Sequence, residues 1–307
     1  LQTIMARAEA RHIANVTNYI MNSQSSKPSM ALVFNCLSAA YILSRYKKKF
    51  HEDVWNECLQ KTLIDDSRVK SLKYRLDKHG IEMFSGKALF SVILPEDFYY
   101  NKKGVTIKDG ILISGSLSKS HLGATSNSII HVMSKMSSKD NVIRFFTEGQ
   151  WILDWFIVYH GLSVGYSSSI TDKKENIKNV IVEEMAKATV QIESLDEPRT
   201  NSEKEYYDRK ILNILTNAEH IGKRLSMQAL DDDNPYKIMS DQGSGAKGTI
   251  LNIVQIIGLM GQQSIDAKRP IFKMNRERRY NSWFDLDDNS LEAHGFIKEN
   301  YMDGADP

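Results

Sequence analysis

Residues 172–230, DKKENIKNVIVEEMAKATVQIESLDEPRTNSEKEYYDRKILNILTNAEHIGKRLSMQAL, hold the pattern that decides the fold. Almost no strand signal occurs in them. Ile177, Ile181, Met185, Ala188, Ile192 and Leu195 recur at helical spacing, so one long helix turns a single apolar stripe inward. A polar break over 196–202, with Pro198 inside it, ends that helix. A second stripe follows through Tyr207, Ile211, Leu215, Ala218, Ile221 and Leu225. Two stripes joined by a short polar connection predict an antiparallel helical hairpin.

Moving outward, the acidic stretch Asp231-Asp232-Asp233-Asn234-Pro235 closes the hairpin. The glycine-rich turn Gly243 to Thr249 opens another apolar helix, expected to run to Met260, and Arg269 to Pro307 reads as an irregular linker with one short helix. On the other side of the hairpin, residues 1–20 suit a helix that leads into the polar turn Asn22 to Pro28. Met30 to Ser44 suits a second helix. Short β-rich runs (Leu89 to Leu94, Gly104 to Ile107, Ile111 to Ser116) mark a small sheet, and Ile129 to Phe146 and Gln150 to His160 read as two further helices. The fold class expected is α+β: a mixed small β-sheet region with packed helices, the hairpin, then a helix-rich C-terminal part.

The bulk numbers exclude several classes. Forty Lys plus Arg stand against thirty-eight Asp plus Glu, a net charge of +2, so no whole-chain field draws in DNA or a membrane, and contact with polyanions is local. Only two cysteines occur, Cys36 and Cys58, with no Cys/His cluster at zinc spacing, which speaks for a reducing, intracellular setting. The longest apolar run, Trp151 to Leu162, is interrupted by Asp154 and His160 and is too short for a bilayer. The chain opens on Leu1 without a signal core, and is expected to be a piece of a longer protein.

Chemistry is sparse. Glycines around Lys247 let backbone amides approach an anion at a helix amino terminus, which suits a phosphate. The order Lys247-Gly248-Thr249 nevertheless departs from the P-loop template, and no strand leads in; a tight turn with a solvated lysine explains the turn alone as well. Gln255 and Gln262 are expected on one face of the helix that begins at Gly248, with Gln263 beside them. Amides in that setting act as bridges to backbone or as the wall of a polar channel. His160 reads as a core or capping histidine, Asp231 to Asp233 as a solvated loop, Lys47 to Lys49 as a solvated helix end, and Arg276, Arg278 and Arg279 as a basic cluster among acids. No catalytic group and no metal ligand set stands out.

Three blocks, in order, carry a resemblance. The first is Gln24-Ser25-Ser26-Lys27-Pro28 before an apolar helix. The second runs from Phe84-Ser85-Gly86-Lys87 through Asp109-Gly110, Leu122-Gly123 and Ile129-Ile130-His131-Val132 to His160-Gly161-Leu162-Ser163-Val164-Gly165. The third is Gly245-Ala246-Lys247-Gly248-Thr249, Asn252-Ile253, Gln255-Ile256, Gly261-Gln262-Gln263-Ser264, Lys268-Arg269 and Glu292-Ala293-His294-Gly295-Phe296-Ile297-Lys298-Glu299-Asn300-Tyr301. Together they resemble the largest subunit of multisubunit DNA-dependent RNA polymerases of the eukaryotic, archaeal and large-DNA-virus kind, over essentially the whole chain.

The resemblance implies a pore domain at 1–163, a funnel helical hairpin at 164–235 and a C-terminal funnel part at 236–307 leading toward a bridge helix. It implies a role in transcription: a secondary channel through which nucleoside triphosphates enter and a transcript-cleavage factor gains access. Lys247 would meet the substrate phosphates. Gln24, Ser25 and Lys27 would lie near the catalytic loop, and Asn252, Gln255, Gln262 and Gln263 would form the floor of the active centre. The aspartate loop that holds magnesium for nucleotidyl transfer is expected before Leu1, so this chain needs no cofactor of its own and is expected to be inactive alone. Other polymerase subunits, DNA template and RNA are the expected partners, in the nucleus, or in host cytoplasm or virion for a viral enzyme. Ile265-Asp266-Ala267 and Leu259-Met260 depart from the family pattern, which suits a fast-evolving or viral polymerase and leaves toxin sensitivity open. The alternatives are a free-standing nucleotide-binding module built on the Gly243 to Thr249 turn, and an α-helical interaction scaffold built on the hairpin.

Overall fold

The computed structural model describes residues 2–196, 198–270, 279–280 and 282–304, and divides into two compact units, Leu1–Ser163 with Ile238–Lys247, and Val164–Lys237 with Gly248–Pro307. Helices predominate, and the sheets are small and antiparallel, as an α+β chain requires.

In the first unit, helix α1 (Ile4–His12) stops well short of residue 20, because Asn15 caps a separate 3-10 turn at Val16–Tyr19 by accepting the Thr17 N–H at 3.0 Å. Strands β1 (Met21–Asn22) and β2 (Lys27–Pro28) pair as a hairpin. Helix α2 is Asn35–Arg45 and does not begin at Met30. Residues 30–33 form neither helix nor strand: the Leu32 N–H donates to Leu122 O at 3.3 Å, and Phe34, at φ 49° and ψ −120°, breaks the helical backbone just before Asn35. Buried Leu37, Ala39, Ala40 and Leu43 make α2 an interior helix.

Helices α3 (Glu52–Gln60) and α4 (Asp66–His79) follow. The run Leu89 to Leu94 is not a strand. Ser85 caps helix α5 (Gly86–Ser91) by accepting the Ala88 N–H at 3.2 Å, and Ala88, Leu89 and Phe90 are fully buried. A short apolar run has no periodicity to separate a buried strand from a buried helix, and here the serine cap decides. Gly86 is required by proximity, since a Cβ there would lie 2.2 Å from Leu43 O. The sheet itself is β3 (Tyr100–Lys102), β4 (Val105–Lys108) and β5 (Ile111–Ser114), in the order β3-β4-β5.

After the short α6 (Lys119–Leu122) come α7 (Ile129–Met136) and α8 (Lys139–His160). The break therefore falls at Ser137-Ser138, not after Phe146, because Ser138 accepts the Asn141 N–H at 3.3 Å and starts a new helix. Trp55, Phe90, Phe145 and Phe156 fill the core around α8. Beside them an ion triad forms around a buried carboxylate: Glu148, 1% exposed, accepts Arg144 Nε at 2.6 Å and lies 3.5 Å from Arg68.

The second unit contains the predicted hairpin, α9 (Lys174–Glu193) and α10 (Asn201–Ala229). Thr200 and Glu203 start α10 as a capping box: Thr200 Oγ1 accepts the Glu203 N–H, and Glu203 accepts the Thr200 N–H, both at 3.3 Å. Ile177, Ile181, Ile211 and Leu215 meet in one core with Val254, Leu259 and Phe296, so the two stripes face each other. The side chain of Ile221 lies outside the described residues. Helix α11 (Pro235–Met239) precedes α12 (Ile250–Ile257), which ends three residues before Met260, at Gly258. The chain then extends into β6 (Gly261–Gln262), paired with β7 (Phe296–Ile297). No helix forms among the described residues of 269–307, where turns and this pairing stand instead.

Candidate functional site

The motif residues are shared between the units. In the first, Gln24 and Ser25 occupy the four-residue turn between β1 and β2, and Lys27 begins β2; all three are exposed. The Gln24 N–H donates to Asn22 Oδ1 at 2.8 Å, and Pro28 is buried, so the hairpin is anchored at its base while its tip faces solvent.

Lys247 sits in the glycine-rich turn, and the amides of residues 243–247 do not form a cradle. Gly243 and Gly245 N–H donate to Ser240 O at 3.0 and 2.8 Å, Ser244 N–H to Ile238 O at 2.7 Å, and Lys247 N–H to Met239 O at 3.0 Å. The Ala246 N–H donates to Ser244 Oγ at 3.2 Å. Every amide from 243 to 247 is thus spent inside the turn, which leaves none of these five for a phosphate. What the turn offers is the lysine: Lys247 is exposed, with its Nζ 5.7 Å from the Phe34 ring centroid, within cation–π range. Phe34, itself 59% exposed, holds φ at 49°, a strained setting for a bulky side chain.

The sequence reading missed a second cation here. Lys119, exposed at the start of α6, donates its backbone N–H to Ser244 O at 2.8 Å, and Gly245 packs so closely that a Cβ would meet Lys119 Cβ at 2.7 Å. A usable signal existed: from Gly110 to Lys139 no Asp or Glu occurs, while Lys119, Lys135 and Lys139 do. Lys103 adds to this side, its Nζ donating to Ser120 O at 2.8 Å.

In the second unit the amides act mainly on backbone. Asn252 is exposed and caps α12, its Oδ1 accepting the Thr249 N–H at 2.8 Å and Oγ1 at 3.0 Å. Gln255 is half-buried, and its carbonyl accepts the Tyr301 N–H at 3.0 Å. Gln262 lies on β6 and Gln263 just after it, so Gln255 and Gln262 share no helix face: Gly258 has already ended α12. Gln262 Nε2 donates to Gln263 O and His294 O, both at 2.7 Å, and its N–H donates to Glu219 Oε1 at 2.6 Å; its own Oε1 is buried without a hydrogen-bond partner. Gln263 N–H donates to Gly295 O at 2.9 Å. His294, buried, donates through Nδ1 to Ser290 O at 2.9 Å, and burial, reinforced by Arg269 and Arg279, pushes its pKa down. Buried Arg279 holds Ala293 O and Leu286 O, which makes it a structural brace; Arg276 and Arg278 lie outside the described residues.

The remaining candidates are structural. His160 ends α8, exposed, with Nδ1 2.8 Å from Gly161 O and its ring against Tyr46 and Phe156. Cys36 and Cys58 are buried thiols pushed up to about 12, chiefly by burial, so neither is a nucleophile at neutral pH. Among the described residues no group of three or more His, Cys, Asp or Glu is placed to hold a metal ion, and no helix is long and apolar enough to cross a membrane.

Two consecutive family models match this arrangement: RNA polymerase Rpb1, domain 3, over residues 19–168, and RNA polymerase Rpb1, domain 4, over residues 171–297. The chain belongs to the RNA polymerase Rpb1 family, the largest subunits of DNA-directed RNA polymerases. Among its relatives, the DNA-directed RNA polymerase subunit Rpo1N of Halobacterium salinarum is 27% identical over 321 residues, covering 100% of this chain and 32% of that protein. The probable DNA-directed RNA polymerase II subunit RPB1 homolog of Invertebrate iridescent virus 6 is 24% identical over 342 residues, again 100% and 32%. The RPB1-B subunit of Trypanosoma brucei brucei is 26% identical over 333 residues, covering 100% and 18%. This chain therefore spans about a third or less of the length of these relatives.

Proposed function

We propose that this chain forms the pore and funnel of a DNA-directed RNA polymerase, the secondary channel by which nucleoside triphosphates reach the active centre and a transcript-cleavage factor reaches the transcript. The observation that carries the reading is Lys247, held exposed on a turn whose amides from 243 to 247 are already bonded, with exposed Lys119 bonded to the same turn. Two ammonium groups beside that turn, neither paired with a carboxylate among the described residues, suit a triphosphate in transit: a lysine meets phosphate as a point charge, without the fixed geometry that would trap it. Gln262 and Gln263 brace β6 through backbone bonds, so their part is to hold a wall in shape. The chemistry belongs to a magnesium-holding aspartate loop outside this chain, and the chain alone is inactive. Other polymerase subunits, DNA template and RNA complete the assembly. The test is the apparent KM for nucleoside triphosphates of the assembled polymerase carrying Lys247→Ala: a rise supports the phosphate contact, and unchanged kinetics remove it.

A further inference from the structure

The second unit contains a pocket that the channel reading does not use. Three isoleucines, Ile177 and Ile181 of α9 and Ile257 at the end of α12, are each less than a tenth exposed, yet with half-buried Met185 they line a hollow of about 520 Å³. Protein interiors close gaps far smaller than this, so the hollow is not a packing defect, and its volume falls in the range of small-molecule sites, about 300–1,000 Å³. Val182, 61% exposed, continues the apolar wall to the surface.

The mouth is cationic once its internal pairs are removed. Lys174 is bound to Asp303, and Asn300 Nδ2 donates to Gly258 O at 3.1 Å and Asp303 Oδ2 at 2.9 Å, so these three groups satisfy one another. Lys178, Lys298 and half-buried Glu299 remain. Lys298 reaches Glu292 only at 4.0 Å with 61% of its side chain exposed, an ion pair of little strength. Over the whole lining three lysines stand against two carboxylates, which leaves one net positive charge at the rim above an aliphatic floor.

We propose that this pocket binds a small amphipathic anion: an unbranched or cyclic hydrocarbon body that takes the place of water against Ile177, Ile181, Met185 and Ile257, ending in a carboxylate held by Lys178 and Lys298. The concave shape and aliphatic floor select a small molecule over a polypeptide, whose backbone would need hydrogen-bond partners that this floor does not supply. The proposal stands apart from the phosphate role of Lys247.

The test uses the full 307-residue chain with carbon-13 methionine methyl groups and decanoate as the probe, kept below its micelle concentration. The Met185 methyl signal, assigned by Met185→Leu, is expected to shift saturably with decanoate and about tenfold more weakly with decyltrimethylammonium, the same chain with the opposite charge. The double variant Lys178→Glu with Lys298→Glu changes only exposed side chains. It is expected to weaken decanoate at least about tenfold while the other methionine signals keep their positions. Absence of a Met185 shift, equal response to both probes, undiminished decanoate binding in the double variant, or a response to an acidic peptide with none to decanoate would each overturn the proposal.

Discussion

Gly261→Ala is the sharpest probe of the wall that carries Gln262 and Gln263. Gly261 is buried, holds φ at +76°, and a Cβ there would lie 2.4 Å from Glu219 Oε1 and 2.6 Å from its Cδ. That same Oε1 accepts the Gln262 N–H at 2.6 Å. An alanine therefore meets two penalties. The left-handed backbone costs a side-chain-bearing residue about 1–2 kcal/mol. Displacing the carboxylate also breaks a charge-assisted bond worth about 1.5–3 kcal/mol. The sum is about 2.5–5 kcal/mol, from about seventyfold to a few thousandfold in an opening equilibrium. Hydrogen exchange of the Gln262 amide in the 307-residue chain reads this directly, because the amide is itself the donor that loses its acceptor. The two terms separate in a Glu219→Ala background, where no carboxylate remains to be pushed aside and Gly261→Ala is expected to cost only the backbone term, about tenfold. An equal cost in both backgrounds, or less than about 1 kcal/mol in the wild-type background, would refute the reasoning.

Lys247→Ala in the assembled polymerase is expected to raise the apparent KM for nucleoside triphosphates about tenfold with little change in kcat, as loss of a contact made equally in ground and transition states requires. Glu148→Ala is expected to destabilise the first unit by about 2–3 kcal/mol, because it removes the carboxylate paired with Arg68, only 16% exposed, and leaves it the weaker fields of Glu96 and Asp65; 37% exposed Arg144 adds less. Tryptophan fluorescence during urea unfolding checks it, since Trp55, Trp151 and Trp155 all lie in that unit. For His294 the folded pKa is depressed below the ordinary 6.5, so the unfolded state binds the proton more readily. The resulting stability is complete above about 6.5 and falls as pH drops from there toward the folded value. Hydrogen exchange at residues 259–264 between pH 7 and 5, corrected for intrinsic rates, is expected to show the loss in wild type and a flatter profile in His294→Gln.

The hairpin was legible because its information is local and repeated. A stripe such as Ile177, Ile181 and Ala188 is a property of one helix face and needs no partner to be seen, and the Thr200/Glu203 box that starts α10 is written within four residues. The ordered motifs around Gln24, Lys247 and Gln262 were legible for the same reason. Tertiary structure alone decided the rest. Leu89 to Leu94 lies on no amphipathic face, so only burial around α5 and the approach of Gly86 to Leu43 O settle its first half, Leu89 to Ser91, as helix and not strand. Whether the amides beside Lys247 are free for a phosphate depends on the carbonyls of Ile238, Met239 and Ser240, whose placement follows from how the turn closes on itself. Lys119 joins Lys247 through Ser244 across a long stretch of chain, and Glu219 reaches Gln262 in the same way. Periodicity and capping are short-range and survive in a one-dimensional reading; the satisfaction of a buried donor is a question about every acceptor within 3 Å or so, and those come from anywhere in the chain.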